Sequence, residues 1–179
     1  MIERLFLKLA FHILKTFLKP FDGRMPRFYM KGYNFILKMV GVKMNGLPRY
    51  ISTQVRFDDF NKIHLSERVV ISEKVILLTH DYSLTTGLIA LNKKPSTDLA
   101  FKKEIHIGRN VFIGMGAIIM PGTIIHDNVV IGAGSVVRGT IHSDAIVIGN
   151  PGQIIGKLTE KALKWEEQAK NSFIQTDRN

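Results

Sequence analysis

Between Ile107 and Val137 an aliphatic residue returns at every sixth position: Ile107, Ile113, Ile119, Ile125, Ile131 and Val137. Two positions before each of the last five stands a small or β-branched residue, namely Val111, Ala117, Thr123, Val129 and Ser135, and glycine follows the aliphatic at Gly108, Gly114 and Gly132. A helix of 3.6 residues per turn would scatter this period around its surface, and one alternating strand has no need of it. The period belongs to a coil. Short strands turn corners at fixed intervals, each face sends one aliphatic side chain inward, and three hexads close a triangular coil of about 18 residues. Parallel coils stack at the ordinary strand spacing of about 4.8 Å. One coil cannot bury its own core, so the architecture requires neighbouring coils and a cap at each end.

The text IHIGRNVFIGMGAIIMPGTIIHDNVVIGAGSVV, followed by Ile148-Gly149-Asn150-Pro151, resembles the hexapeptide-repeat acyltransferases, close to their galactoside, maltose and xenobiotic acetyltransferase branch. The resemblance extends over roughly residues 51–158. It implies a mainly β chain wound as a left-handed parallel β-helix, a hand that the general rule for parallel crossovers would not give. It also implies acetyl-CoA as acyl donor, no metal, a carbohydrate acceptor, and a homotrimer with its active sites in the grooves between neighbouring solenoids.

At 179 residues, one domain with appendages is expected, and the 45% hydrophobic content suffices for a core. The absence of cysteine excludes disulfides, thiol chemistry and thiolate metal sites. The net charge of +10 suggests nucleic acid until it is located: residues 1–50 hold ten Lys/Arg against Glu3 and Asp22, leaving only +2 on the rest. No nucleic-acid motif accompanies it. The expected division is a basic amphipathic helical segment over 1–50, a hexad solenoid over 51–158 with an excursion at 81–104, and a C-terminal helix with tail over 159–179.

Residues 1–18 read as a helix with a broad apolar face opposed by Arg4, Lys8, His12, Lys15 and Lys19, and ended by Pro20. The charges at Lys8 and Lys15 break both a signal peptide and a membrane span. Two readings stay open for this helix: packing on another element or subunit, or lying in the interface of an anionic membrane. The expected location is cytoplasmic, with peripheral contact at the inner membrane face under the second reading. A second apolar stretch, Pro26 to Val40, would pair with it and cap the solenoid's open edge. Between Asp81 and Glu104 the six-residue period stops, and Gly87, Pro95, Ser96, Thr97 and Lys93-Lys94 read as loop. A loop this long inside a compact repeat is usually functional. Thr159 is a plausible N-cap for a polar helix over Glu160–Lys170, with a frayed tail from Asn171.

Of six histidines, His80 alone sits where a repeat hands over to the long loop. Neutral imidazole is the natural proton acceptor near neutral pH. By resemblance, Val75-Ile76-Leu77-Leu78-Thr79-His80 matches the position of the family's general base, which takes a proton from the acceptor hydroxyl. Asp58-Asp59 matches an aspartate-aspartate-aromatic run whose second member contacts acceptor hydroxyls, which makes Asp59 the acceptor-binding candidate; its alternative is a solvated turn. Asp81 adjoins His80, but adjacent side chains reach each other poorly. His106 could reach the loop, His126 is expected to face outward at a corner, and His142 matches no functional position. For the coenzyme, the matching positions are Met115, Ala133, Arg138 and Gly139, with Arg138 suited to a phosphate. A basic residue often follows the Asn-Pro turn in the family; this chain has Gln153 there and Lys157 later.

The best reading is an acetyl-CoA-dependent O-acetyltransferase acting on a sugar hydroxyl in surface polysaccharide or glycan biosynthesis. The alternatives are transfer to an amino-sugar nitrogen or a xenobiotic, and a noncatalytic scaffold. A metal enzyme like the β-helical carbonic anhydrases needs three histidines, two of them close in sequence, whereas the nearest spacing here is 16 residues.

Overall fold

A computed structural model describes the backbone of residues 2–170 and the side chains of residues 9–170. The expected tail from Asn171 lies outside the described residues. The hexads form three parallel sheets. The first contains Lys43–Asn45, Ile63–Ser66, Ile105–Ile107, Ile124–Ile125 and Thr140–Ile141. The second contains Tyr50–Ile51, Val70–Ile71, Phe112–Ile113, Val130–Ile131 and Ala145–Ile148, and the third Arg56–Phe57, Ile76–Leu77, Ile118–Ile119 and Val136–Val137.

Register follows from the inward aliphatics. Ile113 lies between Ile71 and Ile131, Ile119 between Leu77 and Val137, and Ile125 between Ile107 and Ile141. The coils of this central run are 18 residues long, as the hexads require. The aliphatics are buried, and so are Val111, Ala117, Thr123, Val129 and Ser135 beside them. Burying one such aliphatic side chain contributes about 1.5–3 kcal/mol, which makes the column of like residues the main source of cohesion.

The corners are turned by residues in the left-handed region: Arg68, Asn110, Asn128 and Asp144 recur at one of them, with φ between 55° and 65°. Asparagine tolerates this region, and Asn110 Nδ2 donates to Asn128 Oδ1 at 2.8 Å from one coil to the next. At Gly114 a side chain is impossible without movement, because its Cβ would stand 2.6 Å from the backbone nitrogen of Ala133.

Both ends of the stack are covered. Helices α1 (Ile2–Leu18) and α2 (Pro26–Met39) close the first. Tyr29, Tyr33 and Leu37 are fully buried there, and Phe11 packs on Tyr33 and Phe60. The Tyr29 hydroxyl donates to Ile51 O at 2.6 Å, and Asn34 Nδ2 to Pro48 O at 3.3 Å, so α2 satisfies backbone acceptors along the open edge. Helix α1 packs through Phe11 and Leu18 while Leu9, Ile13 and Phe17 stay outward and exposed. Strand pairing begins at Lys43–Asn45, ahead of the coil start expected at Ile51, because Met44 already lies beside Leu65. At the other end Gln153–Lys157 folds back antiparallel on Ala145–Ile148, a strand that the hexad pattern does not reveal.

Two expectations are corrected. The 81–104 excursion is not all loop: it carries a helix, α3 (Ser83–Ala90), and a strand, Phe101–Lys102. The terminal helix, α4, is Leu158–Lys170, and its cap is Asp144 rather than Thr159. Asp144 Oδ1 accepts the Thr159 N–H at 2.8 Å and Oδ2 accepts its hydroxyl at 2.7 Å. These bonds, with Lys157 adding its positive charge, hold the Asp144 carboxyl below the usual range. Helix α4 buries no side chain against its own chain.

Candidate active site

The site forms where the third sheet stops. After Ile76–Leu77 the chain turns through fully buried Thr79, and His80–Asp81 leaves the coil to pair antiparallel with Phe101–Lys102. The Lys103 N–H donates to Thr79 O at 2.9 Å, which pinches the neck of the excursion. Inside it, the Thr85 hydroxyl donates to Leu99 O at 3.1 Å and accepts the Leu99 N–H at 2.7 Å. The imidazole therefore hangs from a clamped neck.

Asp58, on the preceding coil, supplies its partner. Phe57 pairs with Leu77, so the residue after each strand reaches the same corner, and Asp58 Oδ2 stands 2.5 Å from His80 Nδ1. The same oxygen accepts the Thr79 N–H at 3.0 Å. The single Thr79 hydroxyl proton faces both Asp58 Oδ2 at 3.0 Å and Asp59 Oδ2 at 3.2 Å, while its oxygen accepts the Asp59 N–H at 3.2 Å. Burial would raise the Asp58 carboxyl, but the Thr79 N–H and hydroxyl and the His80 ring outweigh it and hold the carboxyl below the usual range. An ionised carboxylate at Nδ1 fixes the proton there and leaves Nε2 with a lone pair, the arrangement of an oriented base. The ring is about one-third exposed, so a substrate hydroxyl can reach it.

Asp81 does not take the orienting role: its Oδ1 accepts the Ser83 N–H at 2.8 Å, and that bond, with the charges of Arg138 and His80 assisting, holds its carboxyl low. Tyr82 meets the imidazole edge-on at 5.5 Å. Sequence reasoning placed the Asp58-Asp59 run one coil before His80 but gave it only an acceptor-binding role, through Asp59, and looked for an orienting carboxylate at the adjacent Asp81; the offset that places Phe57 beside Leu77 is the signal for Asp58.

The expected coenzyme residues fall on three corners of the coil. Arg138 and Gly139 follow Val137 at the corner that also carries Asp58 and His80, and Arg138 lies near enough to Asp81 to act on its charge. Met115 and Ala133 meet at another corner, where the Gly134 N–H donates to Met115 O at 2.8 Å. Lys157 ends the folded-back strand, 3.7 Å from Glu160. Within one chain, then, His80, Asp58, Asp59 and Arg138 share a corner, and Met115, Ala133 and Lys157 lie elsewhere. His126 faces outward as expected, stacked on His142 at 5.8 Å. His106 stacks on His64 at 4.0 Å instead of reaching His80. Asp58, Asp59 and His80 also present three donor atoms within 4.8 Å of one another, with Asp58 engaged by His80 and Thr79 and Asp59 by the Thr79 hydroxyl. A cavity of about 1520 Å³ lies under α2 and not at His80; Arg24, Arg27, Lys31 and Lys38 line it.

A family model described as bacterial transferase hexapeptide (six repeats) matches residues 104–139. WbbJ of Escherichia coli (strain K12), assigned to lipopolysaccharide-biosynthesis O-acetyl transfer, is 29% identical over 72% of this chain and 71% of its own length. Further curated relatives are matched over about half of their length. Among solved structures, a maltose O-acetyltransferase from Clostridium difficile 630 superposes with a TM-score of 0.58 at 23% identity, over 87% of this chain and 88% of that one. A hexapeptide-repeat acetyltransferase from Vibrio cholerae O1 biovar eltor, complexed with acetyl coenzyme A, gives 0.53 at 18% identity over 83% and 87%. These likenesses bear out the left-handed parallel β-helix. No helix among the described residues is long and apolar enough to cross a membrane.

The depressed Asp58 carboxyl has a consequence for stability. A carboxyl lowered by folding stabilises the native state above its unfolded value, about 3.9, and loses that contribution as pH falls through the folded value. The difference in urea midpoint between wild type and Asp58→Asn should therefore be widest at neutral pH and shrink below about pH 4. A difference that stays constant from neutral pH into acid would contradict this.

Proposed function

We propose that this chain is a hexapeptide-repeat acyltransferase, and specifically an acetyl-CoA-dependent O-acetyltransferase acting on a sugar hydroxyl in surface polysaccharide or glycan biosynthesis. The observation that carries the reading is the His80–Asp58 pair at the mouth of the excursion. The O-acetyl transfer assigned to WbbJ and to the maltose enzyme supports a sugar hydroxyl as acceptor, and the acetyl coenzyme A in the Vibrio structure supports the donor.

In this mechanism His80 Nε2 takes the proton of the acceptor hydroxyl as the oxygen attacks the thioester carbonyl carbon. The C–S bond then breaks, the imidazolium returns its proton to the departing thiolate, and the products are the acetyl ester and CoA. Asp58 holds the ring and stabilises its positive charge. Asp59 binds acceptor hydroxyls. Met115, Ala133, Arg138, Gly139 and Lys157 contact the coenzyme, and because they occupy different corners of one solenoid, they converge only in a groove between neighbouring chains. A homotrimer supplies that groove. It also accounts for α4 and for the exposed Ile148, Ile154, Ile155, Leu163 and Trp165 at the C-terminal end. The outward apolar side of α1, together with the basic groove under α2, suits peripheral contact with an anionic membrane that carries a lipid-linked glycan.

General-base assistance is worth about 10²- to 10⁴-fold, so His80→Ala should lower kcat by that factor while CoA still binds. Asp59→Ala should act mainly on the KM for the acceptor. Release of CoA thiol from acetyl-CoA against a panel of sugars measures both, and a normal rate from His80→Ala would sink the assignment. Light scattering should give three chain masses; a monomer active at full rate would remove the shared groove. The chain should sediment with anionic vesicles and lose this on deletion of residues 1–20; retention after deletion would remove the membrane role of α1.

A further inference from the structure

The first sheet carries a second cluster of titratable side chains. His64 and His106 are 42 residues apart in sequence, but their strands pair in register, His64 opposite His106. The inward positions beside them belong to Leu65 and Ile107, so both imidazoles stand on the outer face, stacked at 4.0 Å with their planes 23° apart. Glu104 arrives from the end of the excursion and sets Oε2 3.0 Å from His64 Nε2 and 3.5 Å from His106 Nε2.

We propose that His64, Glu104 and His106 bind a divalent transition-metal ion of zinc's class. The three donor atoms lie within 4.8 Å of one another. A tetrahedral ion with bonds of about 2.0–2.2 Å needs its ligands about 3.3–3.6 Å apart, close to the two spacings above. Two imidazoles and one carboxylate suit zinc, cobalt or nickel, whereas magnesium and calcium prefer oxygen alone. Both Nε2 atoms face one carboxylate oxygen, and an ion there would take their lone pairs while each neutral ring keeps its proton on Nδ1. The three side chains are 28%, 39% and 44% exposed, so water can complete the coordination.

Lys43 is the opposing element. Its Nζ lies 3.2 Å from Glu104 Oε1 and 3.4 Å from His64 Nε2. An ion at His64 Nε2 and Glu104 Oε2 takes the place of the ammonium at that nitrogen and leaves it only its contact with Oε1. The side chain is half exposed and free to swing. Its positive charge nevertheless weakens binding, which distinguishes a metal site from a hydrogen-bonded cluster in which Lys43 only adds cohesion.

The test uses the full chain stripped by a chelator, titrated with Zn²⁺ against a chromophoric competitor and with Co²⁺ followed by visible absorption. One ion per chain is expected. Glu104→Gln, which keeps the shape of the side chain, and His106→Ala should each weaken binding on the order of 100-fold. Lys43→Ala should tighten it, and His126→Ala should leave it unchanged. Circular dichroism confirms that each variant is folded. The proposal is overturned if wild type shows no saturable binding at one ion per chain, or if the His64→Ala/His106→Ala double variant binds as wild type does. It is equally overturned if Lys43→Ala weakens binding.

Discussion

The parallel register in which Ile113 faces Ile71 and Ile131 governs the rest of this chain, because each inward aliphatic can be buried only by its counterparts on the coils above and below. Once that register is set, every outward and corner position is set with it. Asp58 meets His80 because Phe57 lies beside Leu77, and His106 meets His64 because Ile107 lies beside Leu65. A slip of one residue would turn the aliphatic column to solvent and separate both pairs. Chemistry on this scaffold is thus a by-product of core packing, read out at the corners.

The strict hexads from Ile107 to Val137 were legible because burial on three faces leaves a sequence period that neither a helix nor a lone strand produces. The first coils were less so, since Met44, Ile51 and Phe57 are separated by unequal corners and the coil from Phe57 to Leu77 is 20 residues long. Helix α3 escaped notice because it is short and packs chiefly by Thr85, with no apolar stripe to mark it. The folded-back strand Gln153–Lys157 is exposed along its whole length and carries no alternation to betray it.

His80 was named as the candidate base from its place at the end of a repeat, together with the family resemblance. Asp58 was placed one coil before His80 but read only as the neighbour of Asp59, whereas the His64–His106 contact was missed because proximity in a solenoid is measured in coils. With the 24-residue excursion left out, His64 and His106 are a single 18-residue coil apart. Counting spacing along the chain hides that relation. The same logic explains why the residues proposed for the coenzyme scatter over three corners of one chain, and why the proposal places them in a groove shared with a neighbour.

The claim on which the catalytic account rests is that Asp58 holds the proton on Nδ1 of His80 and leaves Nε2 free to accept one. Nitrogen chemical shifts of the His80 ring in ¹⁵N-histidine-labelled protein test it directly, with His80→Gln identifying the signals. The account predicts that the neutral ring is protonated at Nδ1 and bare at Nε2, and that Asp58→Asn relaxes this preference. A neutral ring protonated at Nε2 in the wild-type protein would contradict it.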